Sequence, residues 1–210
     1  MPEALIWGAS GGMGAALVSL LKREDWRVFA AARDETRIPA DADLLCSFEA
    51  ASAYSFKDAA MRVAMESNGV DLVVYAAGGL AASPIADMSA DAWTQTLDSN
   101  LTGALRAAQV SVPLMREGGH LMFIGAYIDH LILPKFAAYA AAKAGLEPLI
   151  GILAKEHRKH KFTVVHPGAV DTPFWNNAPF SLPKNAKTPD IVARAILDRY
   201  HNGETGKLDL

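Results

Sequence analysis

ALIWGASGGMGAALVSLLK, residues 4–22, decides the fold. Ala4–Trp7 is a short apolar run that stops abruptly at a cluster of glycines, Gly8, Gly11, Gly12 and Gly14. Ala15–Lys22 then has the composition of a helix. A strand feeding a helix through a glycine turn is the local plan of a parallel α/β unit. Glycine lets the backbone turn tightly and approach a ligand, and the first turn of the helix offers unpaired N–H groups to a phosphate. The spacing, Gly8-x3-Gly12-x-Gly14, departs from the common G-x-G-x-x-G pattern, and a glycine cluster alone is equally a plain tight turn. The flanking strand and helix favour a nucleotide cradle.

Outward from this unit, apolar runs and helical stretches alternate. Strands are predicted over Arg27–Ala31, Asp43–Cys46, Val70–Tyr75, Gly119–Ile124 and Lys161–His166, and a helix over Ser52–Ser67. Val70–Tyr75 is continuously apolar after Asp71, as in a parallel strand covered on both faces. A long helix is predicted from Ala90 towards Met115, with Ser89 as N-cap and Asp91 in its first turn. Asn100 and Gly103 are poor residues for its middle, which suits either a functional site or an Asn bonding backbone in a local kink. Pro173–Lys187 reads as an apolar-faced loop or lid, and Thr188-Pro189-Asp190 restarts a helix with a capping residue. The tail His201–Leu210 reads as short and polar. The pattern is that of a single α/β domain, residues 1–210, with a doubly wound, mostly parallel Rossmann-type sheet. Ligands in such sheets bind beyond the carboxyl ends of the strands, where Gly8, Arg33, Ala76, Gly125 and Pro167 all fall.

Composition excludes several classes. The chain has 210 residues, 51 % hydrophobic and 20 % charged, with a net charge of −3, so no basic field argues for nucleic acid or an anionic membrane. No uninterrupted apolar run approaches the ~18 residues of a membrane-spanning helix. Cys46 is the sole cysteine and cannot form an intrachain disulfide, which points to a reducing cytoplasm. His157 and His160 in the basic run Lys155–Lys161 have helical spacing, but no further ligands accompany them, and no metal site is expected.

In FAAYAAAKAGLE, residues 136–147, the alanines favour a helix that sets Tyr139 and Lys143 one turn apart on one face. A phenol with a pKa of ~10 is a poor acid or base at neutral pH, and a neighbouring cation pulls that value down. A Tyr and a Lys at a helix edge are otherwise ordinary. Arg33, at the end of the second strand after the neutral Ala32, suits a ribose 2′-phosphate and so favours NADP(H) over NAD(H).

Together these residues resemble the short-chain dehydrogenases/reductases (SDRs). The motifs occur in the family's order: GASGGMG at 8–14, AAG at 76–78, Asn100 in SNLTG, YAAAK at 139–143 and PGAVDT at 167–172. The resemblance implies that Tyr139 is the general acid/base in hydride transfer between a nicotinamide and a small carbonyl or alcohol. Lys143 would lower its pKa and hold the nicotinamide ribose, and Asn100 would anchor a water in the proton relay. Gly8, Ser10, Gly12, Met13 and Gly14 would wrap the pyrophosphate. Ala76, Ala77 and Gly78 would line the cofactor, and Pro167, Gly168, Val170 and Thr172 would pack on its nicotinamide end. A homodimer or homotetramer, pairing through the helices that carry Asn100 and Tyr139, is also implied.

Four departures stand out. Ala126 occupies the position of the family's catalytic serine, thirteen residues before the tyrosine. Trp7 replaces the usual threonine before the first glycine, Cys46 or Ser47 replaces an acid near the adenine, and the chain after Pro173 is short. These departures leave two readings. In one, the protein is an active reductase in which Tyr127 or His130 supplies the missing hydrogen bond, with Phe174 and Trp175 as substrate contacts. In the other, it binds NADP(H) as a catalytically weak or inactive sensor or scaffold. An epimerase or dehydratase using the same Tyr/Lys pair is disfavoured by the glycine spacing and short chain.

Overall fold

A computed structural model describes residues 1–210. Seven parallel strands form one sheet in the order β3-β2-β1-β4-β5-β6-β7. They are β1 (Glu3–Trp7), β2 (Arg27–Ala32), β3 (Leu44–Ser47), β4 (Val70–Tyr75), β5 (Met115–Ile124), β6 (Lys161–His166) and β7 (Gly206–Asp209). The strand order reverses between β1 and β4, where Trp7 pairs in register with Tyr75. Such a reversal opens a crevice at the carboxyl ends of the two strands.

Side chains on β1 alternate between two buried layers. Leu5 and Trp7 join a core with α2 (Ala53–Glu66), while Ala4 and Ile6 join a second with α1 (Gly12–Arg23). Helices α3 (Ala90–Leu97), α4 (Gly103–Ser111), α5 (Ala137–Ala144) and α6 (Leu146–Glu156) continue the chain, and α4 and α6 cover the α2 face. Helix α7 (Pro189–Asn202) packs beside α1. Both sheet faces are therefore dry, which explains why the strands read as continuous apolar runs.

Ser89 caps α3 as expected, accepting from the N–H of Ala92, and Ser52 caps α2, accepting from the N–H of Ser55. Thr188 takes the N-cap position of α7 without a side-chain cap bond, so Pro189 at the first helical position marks that start. Two expectations are corrected. The tail is not merely polar: Gly206–Asp209 adds a seventh strand in parallel register with β6, on an edge where only Leu208 needs cover. The helix predicted over 90–115 is broken into α3, a π-helical turn at Asp98–Thr102 and α4, and Met115 already belongs to β5. The run Ala137–Glu156 has the length and mean hydropathy (1.2) of a membrane span. It turns at Gly145, and Ala138, Ala142, Leu146, Ile150 and Leu153 are buried within the fold.

Within the sheet, His120 is fully buried, with Nε2 2.8 Å from the Thr163 hydroxyl and Nδ1 without a partner. Burial, with Lys161 and Arg199 adding to it, pushes its pKa down to about 3. An unfolded chain keeps that proton up to pH ~6.5, so between these values the unfolded state binds more protons and stability falls as pH drops. The full loss is about 5 kcal/mol. Acid titration followed by circular dichroism should show this limb, and His120→Leu should move the unfolding midpoint to lower pH. An unchanged midpoint would exclude His120 as the acid trigger.

Candidate active site

The site assembles at the crevice from chain segments that follow β1, β4, β5 and β6. After β1, Gly8 adopts φ +87°, and a Cβ there would stand 2.6 Å from Cα of Ala77. Only glycine allows that positive φ and that approach at once. The N–H groups of Gly8 and Ala9 donate to the Ala31 carbonyl at 2.8 and 3.0 Å, which fixes the turn against β2. A Cβ on Gly12 would lie 2.6 Å from Cγ2 of Thr172, so the first glycine motif also meets the segment after β6. Ser10 and Met13 are half-buried along this turn. Trp7, in place of the family's threonine, turns into the core: its indole N–H donates to Ser111 Oγ at 3.0 Å and its ring packs on Phe48 and Phe56.

Helix α1 starts at Gly12 with Gly11 as N-cap, no side-chain cap bond and no acid in its first turn. These uncapped N–H groups suit an anion. Arg33 follows β2, is exposed and forms no ion pair, whereas Asp34 spends its carboxylate on the N–H and hydroxyl of Thr36. Both hydrogen bonds hold the Asp34 pKa below the usual range.

Asn100 lies at the centre of the π-turn and is fully buried. Its Nδ2 donates to the carbonyls of Gly79 and Thr96, at 2.7 and 2.9 Å, and contacts Ser99 Oγ at 3.1 Å. The alternative of a local kink bonded to backbone is met, and the kink falls at Asn100 itself. Its Oδ1 is buried without a partner. That oxygen lies 2.7 Å, and Lys143 Nζ 3.8 Å, from the point where a Cβ on Gly78 would stand.

Tyr139 and Lys143 share one face of α5. Lys143 is 5 % exposed, and its ammonium donates to the Ile124 carbonyl at 2.7 Å. Nζ sits 5.6 Å from the centre of the Tyr139 ring. Burial pushes the Lys143 pKa down to about 8. Burial also raises that of Tyr139, so the expected lowering by Lys143 is not met in this structure: desolvation of the phenolate outweighs a cation at that distance, bonded elsewhere. Tyr139 consequently keeps its proton at neutral pH. The Phe174 ring lies 5.2 Å from it, Phe136 packs edge-on at 5.9 Å, and Phe180 covers Phe136 at 5.8 Å. Of residues 173–187, Phe174 and Phe180 thus pack over this helix start, and the Trp175 indole N–H donates to the Val170 carbonyl at 2.8 Å.

Beside Ala126, Tyr127 donates its hydroxyl to the Leu210 carbonyl at 3.0 Å, and its ring stacks near His130 and His166. His130 is exposed. The Tyr127 hydroxyl is thus engaged with the segment after β7. Gly168 adopts φ +70° close to Lys187, whose Nζ donates to the Pro167 carbonyl at 3.3 Å. Val170 is buried and bridges to Lys187. The Ile124 carbonyl, Phe136 and Lys187 escape sequence reasoning, because a backbone acceptor and distant packing partners leave no local pattern.

These residues fit a dinucleotide: an uncapped, acid-free helix start, a turn whose glycines admit close backbone approach, and an orphaned amide oxygen beside a buried ammonium. The family model for short chain dehydrogenases matches residues 2–180. The chain belongs to the short-chain dehydrogenase family. It is similar to an uncharacterized oxidoreductase of Staphylococcus aureus strain N315, 30 % identical over 206 residues, covering 92 % of this chain and 88 % of that protein. An uncharacterized oxidoreductase of Staphylococcus epidermidis is 27 % identical over 203 residues, with the same coverage. Among solved structures, the alcohol dehydrogenase of Thermococcus sibiricus complexed with 5-hydroxy-NADP superposes with a TM-score of 0.89 at 23 % identity, covering 100 % of this chain and 96 % of that one. The ligand-free aldohexose dehydrogenase of Thermoplasma acidophilum gives 0.88 at 20 % identity, covering 100 % and 92 %. This short-chain dehydrogenase is an oxidoreductase of a nicotinamide-binding family, built as a single Rossmann-type domain.

Proposed function

We propose that the protein is an NADP(H)-dependent reductase acting on a small carbonyl compound, with Tyr139 as general acid. The observation that carries this reading is a half-buried Tyr139 one helical turn from a buried Lys143, its ring packed under Phe174. When bound, the nicotinamide supplies or accepts the hydride. Gly8, Ser10, Gly12, Met13 and Gly14 hold the pyrophosphate, and Arg33 takes the 2′-phosphate. Ala76, Ala77, Gly78, Pro167, Gly168, Val170 and Thr172 line the remainder of the cofactor site. As hydride reaches the carbonyl carbon, the Tyr139 O–H bond breaks and its proton passes to the carbonyl oxygen. The electron pair stays on the phenolate, which the Lys143 ammonium stabilises. Asn100 Oδ1 accepts from a water that restores the proton.

Phe174, Phe136 and Phe180 exclude water from this exchange, and they suit a neutral, apolar substrate. The exposed Trp93, Leu105 and Ile152 on the helices of the Asn100 and Tyr139 face support pairing with a second copy. The buried thiol of Cys46, its pKa pushed up by desolvation, is in keeping with action in the cytoplasm.

Ala126 supports a second reading, a nucleotide-binding sensor with little turnover, since losing one preorganised donor costs about 100–1000-fold in rate. Following NADPH absorbance against a panel of apolar ketones, aldehydes and quinones separates the two. Turnover is expected; tight NADPH binding with no substrate consumed would favour the sensor. Arg33→Asp should weaken NADPH binding about 10–100-fold, the effect of removing a charge-assisted contact, and spare NADH. Fluorescence titration with both nucleotides reads this directly, and equal losses for both would remove Arg33 from the 2′-phosphate site.

A further inference from the structure

We infer that Tyr75 and Gly103 form a positioning pair that holds the π-turn open and thereby aims Asn100 into the crevice. Tyr75 ends β4, is 2 % exposed, and donates its hydroxyl to the Ser99 carbonyl at 2.8 Å. In an α-helix the Ser99 carbonyl would accept from the N–H of Gly103, four residues on. Here that N–H instead reaches back five residues to the Asp98 carbonyl, the bond that defines the π-turn. The Ser99 carbonyl has lost its helical donor, and the Tyr75 hydroxyl takes the donor's place.

Gly103 makes this exchange possible. A Cβ at that position would overlap the Tyr75 hydroxyl and stand 2.7 Å from the Asp98 carbonyl oxygen. An alanine there therefore conflicts with both new hydrogen bonds. The glycine that is a poor helix residue in the sequence is the notch into which the tyrosine hydroxyl fits. Without the tyrosine hydroxyl, the segment gains by returning Gly103 N–H to Ser99 and re-forming an α-turn. One residue fewer in the turn rotates the flanking helical segments relative to each other by roughly 100°. Asn100 would then lose its bond to the Gly79 carbonyl, and its orphaned Oδ1 would leave the side of Lys143.

Tyr75 acts through the Ser99 carbonyl, so it is a positioning residue. The inference rests on the proposed role of Asn100 beside Tyr139 and Lys143. Tyr75→Phe keeps the ring in the core and removes one oxygen. It is expected to lower kcat roughly 10–100-fold, with the NADPH dissociation constant and substrate KM unchanged. Hydrogen exchange at the Gly103 amide, which needs no turnover, should change with it. Gly103→Ala should disrupt the same turn, and adding Tyr75→Phe should recover part of the lost thermal stability, because the overlapping oxygen is gone. Unchanged kcat and unchanged exchange in Tyr75→Phe would overturn the inference. So would strictly additive stability losses in the double variant. If the parent protein turns over no substrate, the reductase reading fails, while the exchange and double-variant measurements still decide whether Tyr75 sets the turn.

Discussion

Tyr139→Phe is expected to lower carbonyl reduction about a thousandfold while leaving NADPH affinity nearly unchanged. The phenylalanine preserves the ring contacts with Phe136 and Phe174, so the cover over the site persists. Only the hydroxyl is lost, and it makes no hydrogen bond within the protein. The folded state should therefore be about as stable as before. Steady-state kinetics together with thermal unfolding reads both quantities. Loss of activity accompanied by unfolding would assign Tyr139 a packing role instead.

Lys143→Met should move activity and stability in opposite directions. A buried ammonium with a pKa of about 8 destabilises the fold at neutral pH. Unfolded, the same lysine keeps its proton to pH ~10.5, and the difference amounts to about 3 kcal/mol. Between these values the unfolded state binds more protons, so the parent's stability rises with pH across that window. Methionine fills similar space without the charge, although it leaves the Ile124 carbonyl without its donor. A net gain of about 1–3 kcal/mol at pH 7 is expected, shrinking as pH passes 8 towards 10.5. Turnover should fall about a thousandfold, because nothing then stabilises the tyrosinate formed in the reaction. Unfolding in urea at pH 7 and pH 10 gives the stability half of the comparison. A variant less stable than the parent at pH 7 would mean that the Ile124 hydrogen bond outweighs the desolvation of the charge.

These opposite signs express a general feature of the site. The buried Lys143 ammonium is carried at a cost to the fold, and packing elsewhere offsets it. Trp7, Phe48 and Phe56 form a tight aromatic cluster beneath the glycine turn, with the indole N–H satisfied by Ser111. The threonine common at this position in the family is thus exchanged for a large core anchor, and the turn is held by the Ala31 carbonyl.

The parts that were legible in the sequence share a cause. Strands buried on both faces are apolar over most of their length, so β1, β2 and β4 announce themselves. The glycines at 8–14, the Tyr139–Lys143 spacing and Asn100 in an unfavourable helical stretch are likewise local patterns. Non-local effects were hidden. Strand β7 is an edge with little apolar area, so nothing in Gly206–Asp209 marks it before His166 and Asp209 are seen 2.8 Å apart. The direction of the tyrosine pKa shift depends on the aromatic cover formed by Phe174 and Phe136, which are distant from each other in sequence. The π-turn needed Tyr75 of β4 to be seen against Ser99, 24 residues away. Tyr127 drew attention as a donor near Ala126, and only the return of the chain at Leu210 reveals where its hydroxyl goes.

The central claim is that this site moves a hydride to a carbonyl carbon while Tyr139 protonates the oxygen. Its most direct test is a reaction with 4-deuterated NADPH and a ketone that is turned over, with the product examined by proton NMR and mass spectrometry. Deuterium should appear at the carbinol carbon of one product enantiomer, in stoichiometric amount, and its rate of appearance should collapse in Tyr139→Phe. Deuterium lost to solvent, or transfer that proceeds equally well in Tyr139→Phe, would contradict the account.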